Sequence, residues 1–325
     1  MQVFILAGGF ATRLWPLTEK RAKPLLPLAG KPILTHLVEK IPAGLPVTVS
    51  TNAAFAEDFR RWKDTIQGRD VTVVVEHTKS DDEKLGALGA TAQWIEDASI
   101  ADDLLLLTGD NYLGFSLADF LASFESEALL AAHDLGDPSR ASSFGTVMIE
   151  GKPAYGKKNT IRGFEEKPAH PKSSLISTGC IALPARLLPV LATFAKTHPD
   201  NVGSVFEEFL RRGESVECIP YADPWLDIGS FASYLEAHRL VTGSRTVIHP
   251  TAKVVDSRLT GSVAIGAGSI VEKSELTDCV VFEGSVIRDC VLKDCVIDDQ
   301  CTVSGVDLKG KMLRAGTVLH MKNPS

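Results

Sequence analysis

Val3-Phe4-Ile5-Leu6-Ala7-Gly8-Gly9-Phe10-Ala11-Thr12-Arg13-Leu14 runs from four apolar residues straight into a glycine pair and then an arginine. An apolar run without alternation reads as a strand covered on both faces. The glycines let backbone N–H groups approach a phosphate closely. Arg13 and, further on, Lys23 add fixed positive charge suited to a polyphosphate. The spacing is neither the Gly-Lys-Ser/Thr loop of nucleoside triphosphatases nor a dinucleotide fingerprint. A glycine pair after a strand is commonly just a turn. Arg13 and Lys23 at these spacings favour a phosphate site.

The same texture continues outward. Pro32 to Lys40 reads as a helix, Val47–Ser50 as a strand, and residues 54–67 as an amphipathic helix. Val71–Val75 reads as a strand, residues 85–96 as a helix, and Leu104-Leu105-Leu106-Leu107 as a buried central strand. This alternation predicts an α/β domain with a mixed, mostly parallel sheet flanked by helices. Ligands in such sheets sit at the carboxyl ends of strands. Two loops there carry chemistry, residues 7–13 and 108–111.

From Val247 to His320 the helical period vanishes. Aliphatic residues recur every five or six positions instead: Ile248, Val254, Leu259, Ile265, Val271, Leu276, Val281, Ile287, Leu292, Ile297 and Val303. Asp289-Cys290-Val291 and Asp294-Cys295-Val296 repeat one unit, with Asp278-Cys279-Val280 as a variant. A short fixed period predicts a β-solenoid, at roughly 18 residues per three-sided coil and about four coils. The domains expected are 1–243 and 246–321. Solenoid edges invite association, so a homo-oligomer is expected, with the chemistry confined upstream.

The 325 residues carry a net charge of −7, which argues against a nucleic-acid or anionic-membrane partner. No apolar run approaches the roughly 20 residues of a membrane span, and Met1–Gly9 has no basic leader. A cytoplasmic protein is expected. The six cysteines form no C-x-x-C pair, so they read as small buried thiols and not as a zinc site or a disulfide framework.

The opening string continues to Lys23-Pro24-Leu25-Leu26-Pro27 and Gly30-Lys31-Pro32. In this form it closely resembles the signature of the sugar-nucleotide pyrophosphorylases, the hexose-1-phosphate nucleotidylyltransferases. The resemblance covers the whole chain. It implies a Rossmann-like nucleotidyltransferase domain and a C-terminal left-handed parallel β-helix of hexapeptide repeats. It implies nucleotide contacts from Leu6, Ala7, Gly8, Gly9, Thr12 and Arg13, with Arg13 and Lys23 as the catalytic cations. Leu107-Thr108-Gly109-Asp110-Asn111 and Trp225-Leu226-Asp227-Ile228-Gly229 match family motifs in which Asp110 and Asp227 hold Mg²⁺, the expected cofactor. An Asp after a strand is otherwise most often a turn residue. Gly163-Phe164-Glu165-Glu166-Lys167-Pro168 resembles the family's Glu-Lys-Pro, so Glu166 would accept from sugar hydroxyls and Lys167 would meet the sugar phosphate. Phe144-Gly145 and Thr178-Gly179 match its sugar loops, and Asn111 joins Gly145 and Thr178 there. Lys84-Leu85-Gly86-Ala87-Leu88-Gly89 resembles the segment that packs on the nucleobase. It brings in Gly86, with Glu76 or Glu83 facing the base.

The substrates implied are a nucleoside triphosphate and a hexose 1-phosphate. The wording of the first loop and of residues 84–90 leans to the glucose-1-phosphate thymidylyltransferase-like branch, with dTTP or UTP. A carboxylate at Glu76 or Glu83 would instead accept from the guanine N1–H and amine, as in a mannose-1-phosphate guanylyltransferase. Two other classes compete. A hexapeptide acyltransferase needs a histidine base, and His249 and His320 stand only at the ends of the solenoid. A silent regulatory homologue would have lost Arg13, Lys23 or Asp110, and all three are present.

Overall fold

The computed structural model describes residues 1–9, 12–76, 85–200 and 202–321. In chain order the elements begin with β1 (Gln2–Leu6), β2 (Pro27–Leu28), β3 (Lys31–Pro32) and α1 (Ile33–Lys40). There follow β4 (Val47–Asn52), α2 (Ala56–Thr65), β5 (Val71–Glu76), α3 (Ala87–Asp97), β6 (Leu104–Thr108) and β7 (Asn111–Leu113). The chain continues through α4 (Leu117–Ala122), β8 (Ala128–Asp134), β9 (Gly145–Ile149), β10 (Asn159–Glu166) and β11 (Leu175–Leu183). Then come α5 (Leu188–Ala195), α6 (Val205–Arg211), β12 (Val216–Tyr221), β13 (Trp225–Asp227) and α7 (Phe231–Thr242). The chain forms two compact units that interleave along it. The first is Met1–Gly9 with His36–Trp225, the second Phe10–Thr35 with Leu226–Ser325.

The first unit is built on a nine-stranded sheet in the order β5-β4-β1-β6-β11-β8-β12-β10-β9. β5, β4, β1 and β6 are parallel, in register at Val3↔Val47, Val3↔Leu105 and Val47↔Val71. Beyond β6 the sheet turns mixed: β11 is antiparallel to both β6 and β8, while β12 runs parallel to β8. The antiparallel strands β9 and β10 close the far edge. Leu104 to Leu107 are 0–1 % exposed, as their unbroken apolar run requires. Burying each such side chain is worth about 1.5–3 kcal/mol. Trp94 of α3 stacks on Phe4 at 4.4 Å, fixing that helix over the sheet. α2 buries Phe59 and Trp62 and leaves Arg60, Arg61 and Lys63 outside, the amphipathic pattern its spacing predicts. No helix among the described residues is long and apolar enough to cross a membrane.

In the second unit, residues 247–320 wind through three parallel sheets of five, five and four short strands, the arrangement of a left-handed β-helix. The first sheet holds Val247–Ile248, Ala264–Ile265, Val280–Val281, Val296–Ile297 and Met312–Leu313. The periodic aliphatics point inward, and Val271, Leu276, Ile287, Leu292 and Val303 are fully buried. Ile248 is the exception: it lies on the first coil and is 44 % exposed. The coil is shorter than the roughly 18 residues expected from a hexapeptide period. The first two coils align at a 17-residue offset and the later ones at 16, as in Ser285 on Ser269 and Cys301 on Ser285. Two of the three corners turn on a single residue in the left-handed region: Lys273 and Asp289 at one, Asp278 and Asp294 at the other. Asp tolerates that conformation better than most residues because its short side chain bonds locally. All six cysteines are free and buried. Cys290 and Cys301 occupy the corner positions that Ser274 and Ser285 take one coil earlier.

α7 opens on a capping box between Ser230 and Ser233 and stops at Gly243, whose φ is 57°. Its His238 is 1 % exposed, with Nδ1 2.9 Å from the Ser262 hydroxyl. Nε2 has no hydrogen-bond partner. Burial holds this imidazole down at about 4, with Arg239 adding to the effect and Asp278 opposing it. Between pH 6.5 and 4 the unfolded chain therefore binds a proton that the folded chain refuses, and stability is lost as pH falls through that window. The loss is about 3 kcal/mol at 1.36 kcal/mol per unit. Thermal melts from pH 7.5 to 4 should show wild type losing that much more than His238→Gln. Parallel curves would remove His238 from the account.

Candidate active site

In the first unit, the carboxyl ends of β5, β4, β1 and β6 bring their polar residues to one edge. Ala7 N–H donates to the Ser50 carbonyl at 3.0 Å, and Gly109 N–H donates to the Leu6 carbonyl at 2.8 Å. The loop after β1 is thus held between the ends of β4 and β6. Asn52 Nδ2 donates to the Gly8 carbonyl at 2.8 Å. A Cβ on Gly8 would stand 2.6 Å from Glu76 Oε1, so any larger residue here would push the Glu76 carboxylate from its place. The Ser50 hydroxyl donates to the same Glu76 carboxyl. Burial pushes the Glu76 carboxyl above its usual range, and the Ser50 bond only partly offsets this. Asp110 is half-buried just past β6.

A second set of groups continues along the sheet from Thr108. Asn111 Nδ2 donates to the Thr178 carbonyl at 2.9 Å and to the Thr108 hydroxyl at 2.6 Å. Trp225 Nε1 donates to the same Thr178 carbonyl at 3.1 Å. Phe144 meets the Trp225 ring edge-on at 5.5 Å. Lys167 N–H donates to the Phe144 carbonyl at 3.1 Å. Glu166 lies against Gly145, where a Cβ would come within 2.9 Å of its Oε2. Burial raises the Glu166 carboxyl, against the pull of the Lys167 charge. Lys167 Nζ is 3.5 Å from Glu166 Oε1 and largely exposed. A line of close contacts thus joins Glu76 and Gly8 at one end to Glu166 and Lys167 at the other. An apolar wall at Trp225 and Phe144, with carbonyl, amide and carboxyl groups around it, suits a polyhydroxylated ligand.

The second unit holds the cationic group. Lys23 is 5 % exposed, and its Nζ stands 3.2 Å from Asp227 Oδ1. Arg13 is exposed in the short turn Thr12–Leu14. A Cβ on Gly229 would lie 3.1 Å from Arg13 Nη2 and 3.3 Å from Asp227 Oδ2, so the guanidinium and the carboxylate converge on Gly229. Two cations around one carboxylate leave net positive charge for an incoming anion.

Among the described residues no three or more His, Cys, Asp or Glu converge as a complete metal site. Asp110 and Asp227 are hard oxygen donors. Each is a donor of the kind that suits Mg²⁺.

The residues named from sequence fall as follows. Leu6, Ala7, Gly8 and Glu76 meet at one strand edge, and Gly9 is exposed beside them. Asn111 and Thr178 are bonded together, and Gly145 packs on Glu166. Gly86, at φ +77°, precedes α3 against the Pro199 carbonyl, which accepts from Leu88 and Gly89 N–H. Glu83, Phe10, Ala11 and the Thr12 side chain lie outside the described residues. Sequence reasoning missed Ser50, Asn52 and Gly203. Ser50-Thr51-Asn52 is a polar ending on an apolar strand, a signal that was there to be read. A Cβ on Gly203 would meet Phe164 and, at 3.0 Å, Glu166, a proximity no local pattern reveals.

The Nucleotidyl transferase family pattern matches residues 2–244. The chain is similar to a glucose-1-phosphate thymidylyltransferase of Streptomyces griseus, 27 % identical over 88 % of this chain and 85 % of that one. It is 33 % identical to a glucose-1-phosphate thymidylyltransferase of Mycolicibacterium smegmatis, over 74 % of this chain and 82 % of the relative. Among solved structures, it shares its fold with a UDP-glucose pyrophosphorylase of Acinetobacter baumannii. The TM-score is 0.61 at 17 % identity, covering 74 % of this chain and 92 % of the other.

Proposed function

We infer, for a chain that belongs to the nucleotidyl transferase family and is a sugar-1-phosphate nucleotidylyltransferase, that it joins glucose 1-phosphate to dTTP or UTP. The products are the nucleoside diphosphate glucose and pyrophosphate. The observation that carries this reading is the contact line in the first unit. It runs from the glycine loop and Glu76 to the Asn111, Thr178, Trp225 and Glu166 group. A nucleotide end and a sugar end on one strand edge are what a two-substrate transfer needs.

In the reaction an oxygen of the sugar phosphate attacks the α-phosphorus. The bond from that phosphorus to the β-phosphate bridging oxygen breaks, and pyrophosphate leaves with the electron pair. The sugar phosphate is already an anion at neutral pH, so no general base is needed. Leu6, Ala7, Gly8, Gly9 and Thr12 contact the nucleotide, and the glycine pair lets backbone N–H groups come close to phosphate. Arg13 stabilises the charge growing on the α-phosphate and the leaving group, while Lys23 and Lys167 offset repulsion between the two anions. Asn111, Gly145, Glu166 and Thr178 orient the hexose. Asp110 and Asp227 would each offer a carboxylate oxygen to Mg²⁺, which when bound would neutralise phosphate charge. We assign the enzyme to the cytoplasm and to a homo-oligomer. Val318 and Met321, 64 % and 69 % exposed near the last coil, support the second point.

The guanine reading rests on Glu76. Its carboxyl flanks the nucleotide loop, and only Ser50 bonds it among the contacts given above. It would accept from the side-by-side N1–H and amine of guanine. Pyrophosphate release over dTTP, UTP, GTP and ATP, each with glucose 1-phosphate and mannose 1-phosphate, separates the readings. dTTP or UTP with glucose 1-phosphate should lead by about tenfold or more. A lead of that size for GTP with mannose 1-phosphate would establish the Glu76 reading instead, and silence with every pair would leave a binding protein.

A further inference from the structure

The three middle strands of the first sheet of the β-helix are buried on both faces. Ile265, Val281 and Ile297 point into the coil, yet their neighbours Ala264, Val280 and Val296, which alternation sends outward, are only 5 %, 2 % and 0 % exposed. The other two sheets alternate normally, with Val291 and Val255 about half exposed. What covers the first sheet is held there by polar ties from two segments of the same unit. From α7, Arg239 Nη2 reaches Asp294 Oδ1 at 2.5 Å, and His238 bonds Ser262. From residues 12–35, Arg21 Nη2 reaches Asp299 Oδ2 at 2.5 Å, and its guanidinium lies over the Phe282 ring at 5.3 Å. Glu19 pairs with Arg314, just past the fifth strand of the first sheet, 2.6 Å from Nε to Oε2. Asp299 is itself pinned, because its Oδ1 accepts from Glu283 N–H at 3.1 Å. The Tyr234 hydroxyl of α7 closes the arrangement by donating to the Pro27 carbonyl.

These ties bracket the cationic centre in sequence. Arg21 is two residues before Lys23, and Asp227 is three residues before the cap of α7. A solenoid that served assembly alone would have no need to hold both segments on one face.

We propose that the first face of the β-helix is a positioning scaffold for nucleotidyl transfer, and that Arg21, clamped by Asp299 and Phe282, is the positioning residue that sets Lys23 and Arg13. Arg21 touches no reacting atom in this account; it acts through the segment it anchors. The inference rests on the transfer reaction above for its kinetic half only. Displacing a catalytic group by a fraction of an ångström costs rate without removing the group. The planar guanidinium matters as well as its charge, since it bonds a carboxylate and stacks on a ring at once.

The test uses full-length Arg21→Met, Arg21→Lys, Asp299→Asn and the Arg21→Met/Asp299→Asn double variant. The control is Arg288→Ala, which removes a cross-coil pair with Glu272 on a different sheet. Arg21→Met and Asp299→Asn should each lower kcat by about tenfold or more, with KM for both substrates moving less than about threefold. The double variant should be no worse than about twofold below the poorer single, because both remove one link. Arg21→Lys should recover part of the loss. Arg288→Ala should keep kcat within about twofold of wild type. Amide hydrogen exchange in residues 12–35 should accelerate in Asp299→Asn while the coil strands keep their protection. Unchanged kcat in Arg21→Met and Asp299→Asn overturns the proposal, as does an equal loss in Arg288→Ala. If wild type turns over no substrate pair, the reaction assignment has failed, and exchange alone decides the scaffold. Unchanged exchange in 12–35 then overturns it.

Discussion

Arg13→Ala lowers kcat by at least about 10²-fold and leaves the melting temperature within about 2 °C of wild type. The side chain is exposed, so its loss opens no cavity in the apolar core. It converges with Asp227 on Gly229, where a Cβ would stand 3.1 Å from Nη2. In the role proposed for it, its charge contributes most when charge shifts onto the departing pyrophosphate. A group that acts in the transition state shows its loss in kcat and in kcat/KM alike. Pyrophosphate release at saturating substrate, with a thermal melt of the same preparation, checks both halves. Turnover within about threefold of wild type would remove Arg13 from the catalytic set.

Asp227→Asn is expected to cost a further-reaching loss, because one carboxylate serves two ends. Its Oδ1 faces the buried Lys23 ammonium at 3.2 Å. It is also one of the two oxygens proposed for Mg²⁺. The amide keeps the shape and removes the charge. kcat should fall by about 10²-fold or more, and the Mg²⁺ concentration for half-maximal rate should rise by about tenfold. Asp110→Asn should shift the Mg²⁺ curve in the same direction. A melting temperature lowered by a few degrees accompanies Asp227→Asn, since a charge-assisted bond at a largely buried ammonium is lost. Full turnover by wild type in excess chelator would overturn the metal assignment, and an unshifted Mg²⁺ curve in Asp227→Asn would confine its role to Lys23.

What the residues reveal in advance divides by range. The parallel half of the sheet is legible because β1, β5 and β6 are nearly continuous apolar runs, a texture that in β1 and β6 follows from burial on both faces. Beyond Leu107 the antiparallel strands β8 to β11 are not, because their order depends on pairings between segments distant in the chain, such as Leu175 with Asp134. The solenoid is legible from its aliphatic period, whereas its 16-residue coil is not. The shortening comes from single-residue corners at Asp278, Asp289 and Asp294, and nothing in a local window marks an Asp as left-handed. The signature residues announce their chemistry through charge and glycine. Ser50 and Gly203 do not, since each matters only through a carboxylate far away in sequence, Glu76 and Glu166 respectively.

The repeat of the coil also makes it a ruler. One turn of chain adds about 4.8 Å of height, the spacing between paired strands. Every outward side chain of the first sheet therefore comes in steps of that size. Asp278 and Asp294, both reached by Arg239, stand one step apart, and so do Glu283 and Asp299, which share a bond. Insertions or deletions short of a whole coil between Val247 and Arg314 would shift these teeth out of mesh with Arg239, Arg21 and Glu19. After Leu319 no tooth remains to be kept in step, so that end of the ruler is where length can change without moving Lys23.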